Sequence, residues 1–466
     1  MKKTVKIEKL GGEGVGIAHI DGKATFVPYS VPGDELLVQI VHETNSYIKA
    51  EIAEIIKPSR VRIEPLCEYF GVCGGCSHQN IKYETQLQFK QDLLNEIFRD
   101  FVKDGVKVED ITPSPEQFGY RNKMQMQCTA SRGGKIGAGF YKIKSHDIVE
   151  INNCPLHSDP INKLVKSTVS TLNQFKILPY SEKLKKGTLR HIVIRESKRY
   201  GEMMMTFVSN HATLLNQNKI SKSLFSKNKN LKGLFLFHNP HDTNVIFEDS
   251  EGIKLNDNRS PLKKVFGGDY ITDMINGVNF SISPLSFFQI NTLQAMNMAK
   301  FIEENTGFEN KKTSLIDLYS GIGTLSLGLC HKFENILAIE LVSQACALAR
   351  HNAKMAKVKN YSIRRGDAAE LITSALNGFK GGGSFTDKYR SVILDPPRAG
   401  LDDDMKDFLC EVKIPEIIYV SCNPHTQQRD VNRLCSKGGY RVVMIAPFDM
   451  FPQTFHIENI IKLVQR

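Results

Sequence analysis

One cysteine of this 466-residue chain stands where an apolar run gives way to a polar turn. The stretch IIYVSCNP (417–424) delivers Cys422 after the run IIYV and a single serine. Burial as a packing residue is the ordinary fate of an unpaired cysteine. A thiol that leaves a strand beside backbone amides and positive groups can instead become a thiolate nucleophile. Cys422 is therefore a candidate nucleophile.

A second group of cysteines has the composition of a metal site. Cys67, Cys73 and Cys76 lie in CEYFGVCGGC, whose glycines allow a loop to wrap a compact inorganic group. Cys154 in INNCPLH is the best candidate for a fourth ligand. Four thiolates can hold zinc or an iron–sulfur cubane, and the spacing leaves both open. We interpret the remaining cysteines as packing residues: Cys128, Cys330, Cys346, Cys410 and Cys435.

Acidic residues follow a glycine turn at regular intervals. In DLYSGIGTLSL, Gly321 and Gly323 permit a tight turn that is predicted to open a helix with free amide donors. Glu340 ends the next strand, where a ribose diol would bind, and Asp367 ends the following one, where it would face an adenine amine. Either acid alone could be a helix N-cap. Together, with GIG in place of GxGxxG, they favour an S-adenosylmethionine (SAM) site over a dinucleotide site.

A third acid ends another apolar strand in SVILDPPRAG (391–400). Asp395 is followed by two prolines, which hold an extended and rigid rim. It could be a plain strand terminus, but open α/β sheets bind ligands at this edge. The motif has neither an aromatic residue nor a cysteine after its prolines.

The elements that must position these residues change in type along the chain. From about Pro284, strands alternate with helices, which predicts an α/β fold with a doubly wound, mostly parallel sheet of the Rossmann-like type. Residues 120–280 are predicted to be β-rich, with a strand at NVIFED (244–249) and a polar, lysine-rich interval at 216–230.

The N-terminal part of the chain predicts a smaller unit. Residues 1–58 contain five short strands separated by Gly, Pro and Asp turns, as in an OB-like barrel. Such barrels commonly bind RNA, although a stabilising cap is the alternative. Apolar residues recur at helical spacing from Tyr83 to about Val106, and residues 84–118 are expected to pack on the C-terminal unit. We expect three domains, at 1–58, 59–283 and 284–466.

The charge balance is basic, with 61 Lys and Arg against 50 Asp and Glu. This fits either a solvated lysine-rich surface or a polyanionic partner such as RNA. MKKTVKIEKL lacks the apolar region of a signal peptide, and no apolar stretch approaches the ~20 residues that span a membrane. We expect a cytoplasmic monomer, since thiols stay reduced there.

The motifs in their order resemble the TrmA/RumA-type RNA (uracil-5-)-methyltransferases over essentially the whole chain. GIG, Glu340, DPPRAG, SCNP and the C-terminal HIENI follow the C-x5-C-x2-C…C array. The resemblance implies that Cys422 is the nucleophile and Glu458 in HIENI the base that removes a proton. It also implies a set of cofactor-pocket positions: Gln289 in SFFQIN, Tyr319, Glu340 and Asp395, with Asp367 contributing.

The same resemblance implies a TRAM domain at the N-terminus and favours a 4Fe–4S cluster over zinc. It favours 23S ribosomal RNA as the substrate over the T-loop of transfer RNA. One departure concerns Thr324, where some relatives have Asn, so this position is not assigned to the cofactor. Arg121, Lys123 and Arg398 could line the RNA path or could be ordinary surface charges.

Three other functions compete with this one. RNA cytosine-5 methylation typically uses a cysteine after the proline of the DPP-equivalent motif, and DPPR has none. An RNA-binding protein with a degenerate methyltransferase fold would not be expected to keep Cys422, Glu458 and Glu340 together. An iron–sulfur redox protein would carry a partner-reductase signature, which the sequence lacks.

Overall fold

The computed structural model describes residues 1–241, 245–247, 260–307, 312–379 and 384–466. Half of the predicted strand NVIFED lies outside these residues, and its described part, 245–247, is not in a strand.

Six strands, rather than the five predicted, form the N-terminal sheet across the fully described residues 1–57. The strands are β1 Lys2–Lys6, β2 Lys9–Leu10, β3 Gly16–Ile20, β4 Lys23–Val27, β5 Glu35–Glu43 and β6 Tyr47–Lys57, in the order β1-β5-β6-β4-β3-β2. The first of the five predicted strands, VKIEKL (5–10), is divided because the Ile7 amide donates to the Asp34 carbonyl and the Glu8 amide donates to the Ile17 carbonyl. Each half therefore pairs with a different partner.

The middle of the chain forms a second sheet flanked by helices. Its elements are α1 Tyr83–Ile97, α2 Arg99–Lys103, β7 Lys123–Ala130, β8 Ile136–Tyr141, β9 Ile148–Glu150, α3 Asp159–Gln174, β10 Leu189–Glu196, β11 Met203–Ser209, α4 Gln217–Lys227, β12 Leu231–His238 and β13 Leu262–Gly267. The strand order is β13-β12-β11-β10-β7-β8-β9. The lysine-rich interval predicted only as polar holds α4, which buries Ile220 and Leu224 at i,i+4 spacing.

The C-terminal part contains the predicted doubly wound sheet. Its elements are β14 Ile271–Ile275, β15 Val278–Ile282, α5 Thr292–Asn305, β16 Ser314–Leu318, β17 Ile336–Glu340, α6 Ser343–Met355, β18 Tyr361–Arg365, α7 Ala368–Asn377, α8 Phe385–Lys388, β19 Tyr389–Leu394, α9 Asp403–Val412, β20 Glu416–Ser421, α10 Pro424–Gly438, β21 Tyr440–Phe448 and β22 Glu458–Gln465. The main sheet has the order β18-β17-β16-β19-β20-β22-β21. The first five strands in this order run parallel, and β22 is antiparallel to both of its neighbours. This confirms the α/β class.

The prediction that a helix begins at the glycine turn is wrong. Within the described residues 319–335 the chain makes turns and a single 3-10 turn at Leu327–Leu329. Leu325, Leu327 and Leu329 are all buried, and this alternate spacing does not match one face of an α-helix.

Two apolar cores lie on the faces of the main sheet, as the alternation of side chains along a strand requires. Leu315 and Ile393 belong to one core, while Ile316 and Val392 belong to the other. Leu94 of α1 packs in the second core, so the helix that precedes the middle sheet contacts the C-terminal one. Among the described residues, helices with the length and apolarity to cross a bilayer are absent.

A buried ion pair fixes α1 to the loop before β22. Lys90 Nζ lies 2.6 Å from Asp449 Oδ1, and both side chains are almost fully buried. We expect Lys90→Met to lower the free energy of unfolding by roughly 3–5 kcal/mol, because it leaves the buried Asp449 charge with the Tyr83 hydroxyl but without its cation. Denaturant unfolding measures the effect, with Lys103→Met as a control at an exposed lysine. An unchanged free energy of unfolding would contradict the pairing.

Candidate active site

The candidate nucleophile and base lie on neighbouring strands at one edge of the main sheet. Ser421 is paired with Asn459, and continuing this antiparallel register by one residue sets Cys422 opposite Glu458. Asp395 follows β19, which is the other neighbour of β20. The fold therefore brings together a thiol and two carboxyl groups that are far apart in the sequence.

The turn that carries Cys422 is fixed by its own polar residues. Ser421 Oγ accepts a hydrogen bond from the Asn423 amide, and Asn423 caps α10 by accepting from the His425 amide. Asn423 Nδ2 also donates to the Arg398 carbonyl at 3.1 Å. The SCNP turn and the DPPR loop are thus tied together as one rim.

Burial makes the two carboxyl groups weak acids. Burial raises the pKa of Glu458 well above its ordinary value, nearby Asp395 raises it further, and Arg398 opposes both. Burial also raises the pKa of Asp395 to about 7. A carboxyl group of raised pKa is a stronger base once it is ionised, which suits the removal of a proton from carbon.

The thiol of Cys422 needs positive charge to ionise at neutral pH. Burial raises its pKa to about 11, Glu458 and Asp395 raise it too, and Arg398 lowers it. A cationic sulfonium bound at this rim would also lower the pKa of the Cys422 thiol, as Arg398 does.

We expect Arg398→Ala to shift the pH–rate profile to higher pH and to reduce turnover at pH 7 by roughly tenfold. The reason is that a thiol pKa raised further leaves less thiolate at neutral pH. Single-turnover rates measured from pH 6 to 10 check the shift, with Arg398→Lys as the variant that keeps the charge. Because the pKa of Cys422 lies above this range, the loss should be about the same at every pH. An equal loss in Arg398→Lys would show that Arg398 acts otherwise.

The glycine turn and the acid of the next strand contact each other directly. Glu340 Oε2 accepts from the Gly321 amide at 2.9 Å, and Oε1 accepts from the Val342 amide at 2.7 Å. Tyr319, Gly321 and Gly323 all have positive φ, which explains the glycines at the last two positions. The acid predicted to hold a ribose therefore lies beside the turn.

The other predicted cofactor residues differ in how the fold places them. Asp367 caps α7 by accepting from the Glu370 amide at 3.1 Å, the ordinary role that the sequence left open. The charge of Asp367 also acts on the Tyr319 hydroxyl, so the two residues lie near each other. Gln289 is buried before α5, and its carbonyl accepts from Asn122 Nδ2 at 2.7 Å.

Sequence analysis did not single out one acidic residue near this edge of the main sheet. Asp317 is buried beneath the glycine turn, where it accepts from Ser326 Oγ, and burial raises its pKa to about 7. Its position at the start of DLYSGIG, beside a strand end, was the available signal.

The four cysteines of the array line one cavity, called here the cysteine cavity. It measures about 700 Å³ and is also lined by Arg121, Lys123 and His157. Gln79 connects two of the cysteines, since Nε2 donates to Cys76 Sγ at 3.2 Å and Oε1 accepts from the Cys67 amide. Within the described part of the chain, no three Cys, His, Asp or Glu side chains form a group that could hold a metal ion.

A second cavity, the Cys422 cavity, measures about 540 Å³ and is lined by loops from the N-terminal, middle and C-terminal parts of the chain. Its lining includes Cys422, Arg398, Tyr29, Cys76, Phe455 and His456. Arg121 lines both cavities. Aromatic residues beside a reactive thiol suit a flat ring as ligand. Sequence reasoning missed Phe455, which directly precedes the HIENI motif, and His456, which is the first residue of that motif.

Comparison with known proteins gives matches along the whole chain. Residues 209–466 match the family described as tRNA (Uracil-5-)-methyltransferase, and residues 3–61 match the tRNA (uracil(54)-C(5))-methyltransferase TRAM domain. An uncharacterized RNA methyltransferase of Listeria innocua is 33% identical over 457 residues, which cover 98% of this chain and 96% of the relative. One of Caldanaerobacter subterraneus is 34% identical over 465 residues, covering 100% and 98%.

The chain also resembles a solved structure over its full length. The crystal structure of Pyrococcus abyssi tRNA (uracil-54, C5)-methyltransferase in complex with S-adenosyl-L-homocysteine has a TM-score of 0.77. The two proteins are 27% identical, and the match covers 100% of both chains.

Proposed function

Because this chain belongs to the SAM-dependent RNA (uracil-5-)-methyltransferase family, we propose that it methylates carbon 5 of a uridine in 23S ribosomal RNA through a covalent adduct at Cys422. The observation that carries the mechanism is the position of Cys422 directly after the Ser421–Asn459 strand pair, where the charges of Glu458 and Asp395 act on its thiol.

Each group has one task in the proposed reaction. Carbon 5 of uracil is a poor nucleophile, so the Cys422 thiolate first adds to carbon 6 and makes an enolate of the ring. Carbon 5 then takes the methyl group from the sulfonium, and S-adenosylhomocysteine leaves. Glu458 finally accepts the proton on carbon 5, the double bond reforms, and the thiolate is expelled. Alignment of the three reacting groups supplies much of the rate.

The proposed roles of the remaining residues follow from their positions. Glu340 and Asp367 hold the nucleoside of SAM beside the glycine turn. The rest of the pocket is formed by Gly321, Gly323, Gln289, Tyr319 and Asp395. The hydrogen bond from the Gly321 amide to Glu340 and the position of Asp395 near Cys422 support this arrangement. The target uridine enters the Cys422 cavity after leaving its stack, at a low cost if it lies in a loop.

The ribosomal assignment rests on the cysteine array, which resembles that of the RumA-like branch. A transfer RNA substrate is the second candidate, because the matching family and the P. abyssi structure carry that substrate in their names. Mapping 5-methyluridine in RNA from cells that lack the gene distinguishes them. Loss from large-subunit rRNA is expected; loss from the T-loop alone would establish the second candidate, and no loss from either RNA would refute the proposed function.

We propose a 4Fe–4S cluster, rather than zinc, for the cysteine cavity. The residues fit, since four thiols and the cationic Arg121 face one space large enough for a cubane. Four thiolates can hold either group, and the choice of a cubane over zinc rests on the resemblance of the array to that of the RumA-like branch. The cluster would order the loops that border both cavities.

Iron content tests this proposal. We expect protein purified without oxygen to be brown and to contain about four irons per chain. Cys154→Ser should lower the iron content and the stability, because it removes one of four ligands. Cys435→Ser, at a cysteine of α10 outside the array, is the matched control. Stoichiometric zinc without iron would overturn the assignment.

The organisation of the chain is part of the same proposal. Residues 1–58 act as the RNA-binding unit, 59–283 as the cluster-bearing unit and 284–466 as the catalytic unit, in agreement with the separate sheets. We propose that the enzyme works as a monomer in the cytoplasm. Its ten cysteines, which form no disulfides, stay reduced in that compartment.

A further inference from the structure

Tyr29 occupies a strained position in the turn between β4 and β5. Its φ is +59°, in the left-handed region that bulky residues rarely adopt. Its carbonyl accepts hydrogen bonds from Asn80 Nδ2 at 2.7 Å and from Arg62 Nη2 at 3.0 Å. Arg62 is itself paired with the fully buried Asp34. The segment after the N-terminal sheet therefore holds the Tyr29 backbone in this conformation.

The held backbone aims the Tyr29 ring at the cysteine array. The ring centroid lies 5.1 Å from that of Phe70, which stands between Cys67 and Cys73 in the sequence. The hydroxyl is buried and makes no hydrogen bond to any described residue. The thiols that act on it electrostatically are those of Cys73 and Cys76. A buried hydroxyl without a partner is costly, which points to an acceptor that forms when the nearby cysteines bind a cluster as thiolates.

We propose that Tyr29 is a positioning residue whose hydroxyl donates a hydrogen bond to a thiolate sulfur of Cys73 or Cys76 in the loaded cluster. The bond connects the N-terminal sheet to the cluster-bearing loop across the Cys422 cavity, which Tyr29 and Cys76 both line. This inference rests on the proposed 4Fe–4S cluster. It makes the placement of the RNA-binding unit over Cys422 dependent on the cluster.

Two properties of the holoenzyme report this bond. Hydrogen bonds to cluster sulfurs withdraw negative charge and raise the reduction potential. We expect Tyr29→Phe to shift the midpoint potential to more negative values and to raise KM for RNA about five- to tenfold. Tyr47→Phe is the matched control in the same sheet, where Tyr47 packs against Phe26 and His42; its potential should equal that of the wild type.

The amide hydrogen exchange of residues 1–57 is the second property that reports this hydrogen bond. Loss of the Tyr29 hydroxyl should increase amide exchange in the loaded protein but should add nothing after the iron has been removed. A loaded Tyr29→Phe enzyme with unaltered potential and exchange would overturn the inference. Equal effects of the substitution in loaded and iron-free protein would also overturn it, since they would show a purely structural role. Wild-type protein without iron would instead refute the proposed cluster.

Discussion

Cys422→Ala is expected to reduce methyl transfer by at least about 10⁴-fold, while SAM binds as tightly as to the wild type. The thiolate is the group that turns carbon 5 of the uracil into a nucleophile, and alanine offers no substitute. The cofactor should be unaffected, because the glycine turn and Glu340 lie on other strands. Transfer of labelled methyl to RNA measures the first effect, and calorimetry with SAM measures the second.

Cys435→Ala is the matched control for this variant. Cys435 lies near the other end of α10, which begins two residues after Cys422, and it should leave turnover unchanged. RNA that carries 5-fluorouridine should form a covalent complex with the wild type and with Cys435→Ala, but not with Cys422→Ala. Substantial turnover by Cys422→Ala, or an adduct through another sulfur, would exclude the nucleophile assignment.

The rate of this adduct should also depend on pH in a defined direction. Burial and the neighbouring carboxyl groups raise the pKa of Cys422 to about 11. Below that value the thiolate fraction grows about tenfold per pH unit, so adduct formation should accelerate from pH 6 to 9. A rate independent of pH in this range would mean that the thiol is already ionised in the complex.

The position of the candidate site residues at the edge of the main sheet could be predicted from the sequence, because it depends on short-range patterns. Apolar strand runs ending at Glu340, Asp395 and Cys422 are visible directly, and parallel strands bring their carboxyl ends to one edge. The prediction of a helix after the glycine turn was wrong because it used only the local pattern. In the structure, the alternate leucines of this segment are all buried in the core, which an α-helix could not achieve on one face.

Burial and domain contacts could not be predicted in the same way. Taken alone, the sequence around Glu458 favours an exposed charge, yet its side chain is only 3% exposed, because β22 inserts between β20 and β21. The Lys90–Asp449 pair joins residues 359 positions apart. The lining of the Cys422 cavity comes from loops of the N-terminal, middle and C-terminal parts of the chain, and no local pattern encodes which residues meet there.

Glu458→Gln is expected to lower turnover by about 10²- to 10⁴-fold and to trap the methylated RNA on the protein. An amide cannot accept the proton on carbon 5, so the thiolate is not expelled after the methyl group has been transferred. The fold should tolerate the change, because glutamine has nearly the same size and shape as glutamate and adds no charge at this buried position. Labelled methyl groups that migrate with a protein–RNA band on a denaturing gel would show the trapped species.

The double variant Cys422→Ala/Glu458→Gln provides the control for this band, since it lacks the sulfur that forms the adduct. Glu458→Asp keeps a carboxylate at a shorter reach and should release product slowly rather than accumulate the adduct. If Glu458→Gln turned over at the wild-type rate, Asp395 would be the next candidate for the base, because it is the carboxyl group that acts on both Cys422 and Glu458. Slow turnover without any covalent species would place the role of Glu458 before carbon–sulfur bond formation, contrary to the proposed order of steps.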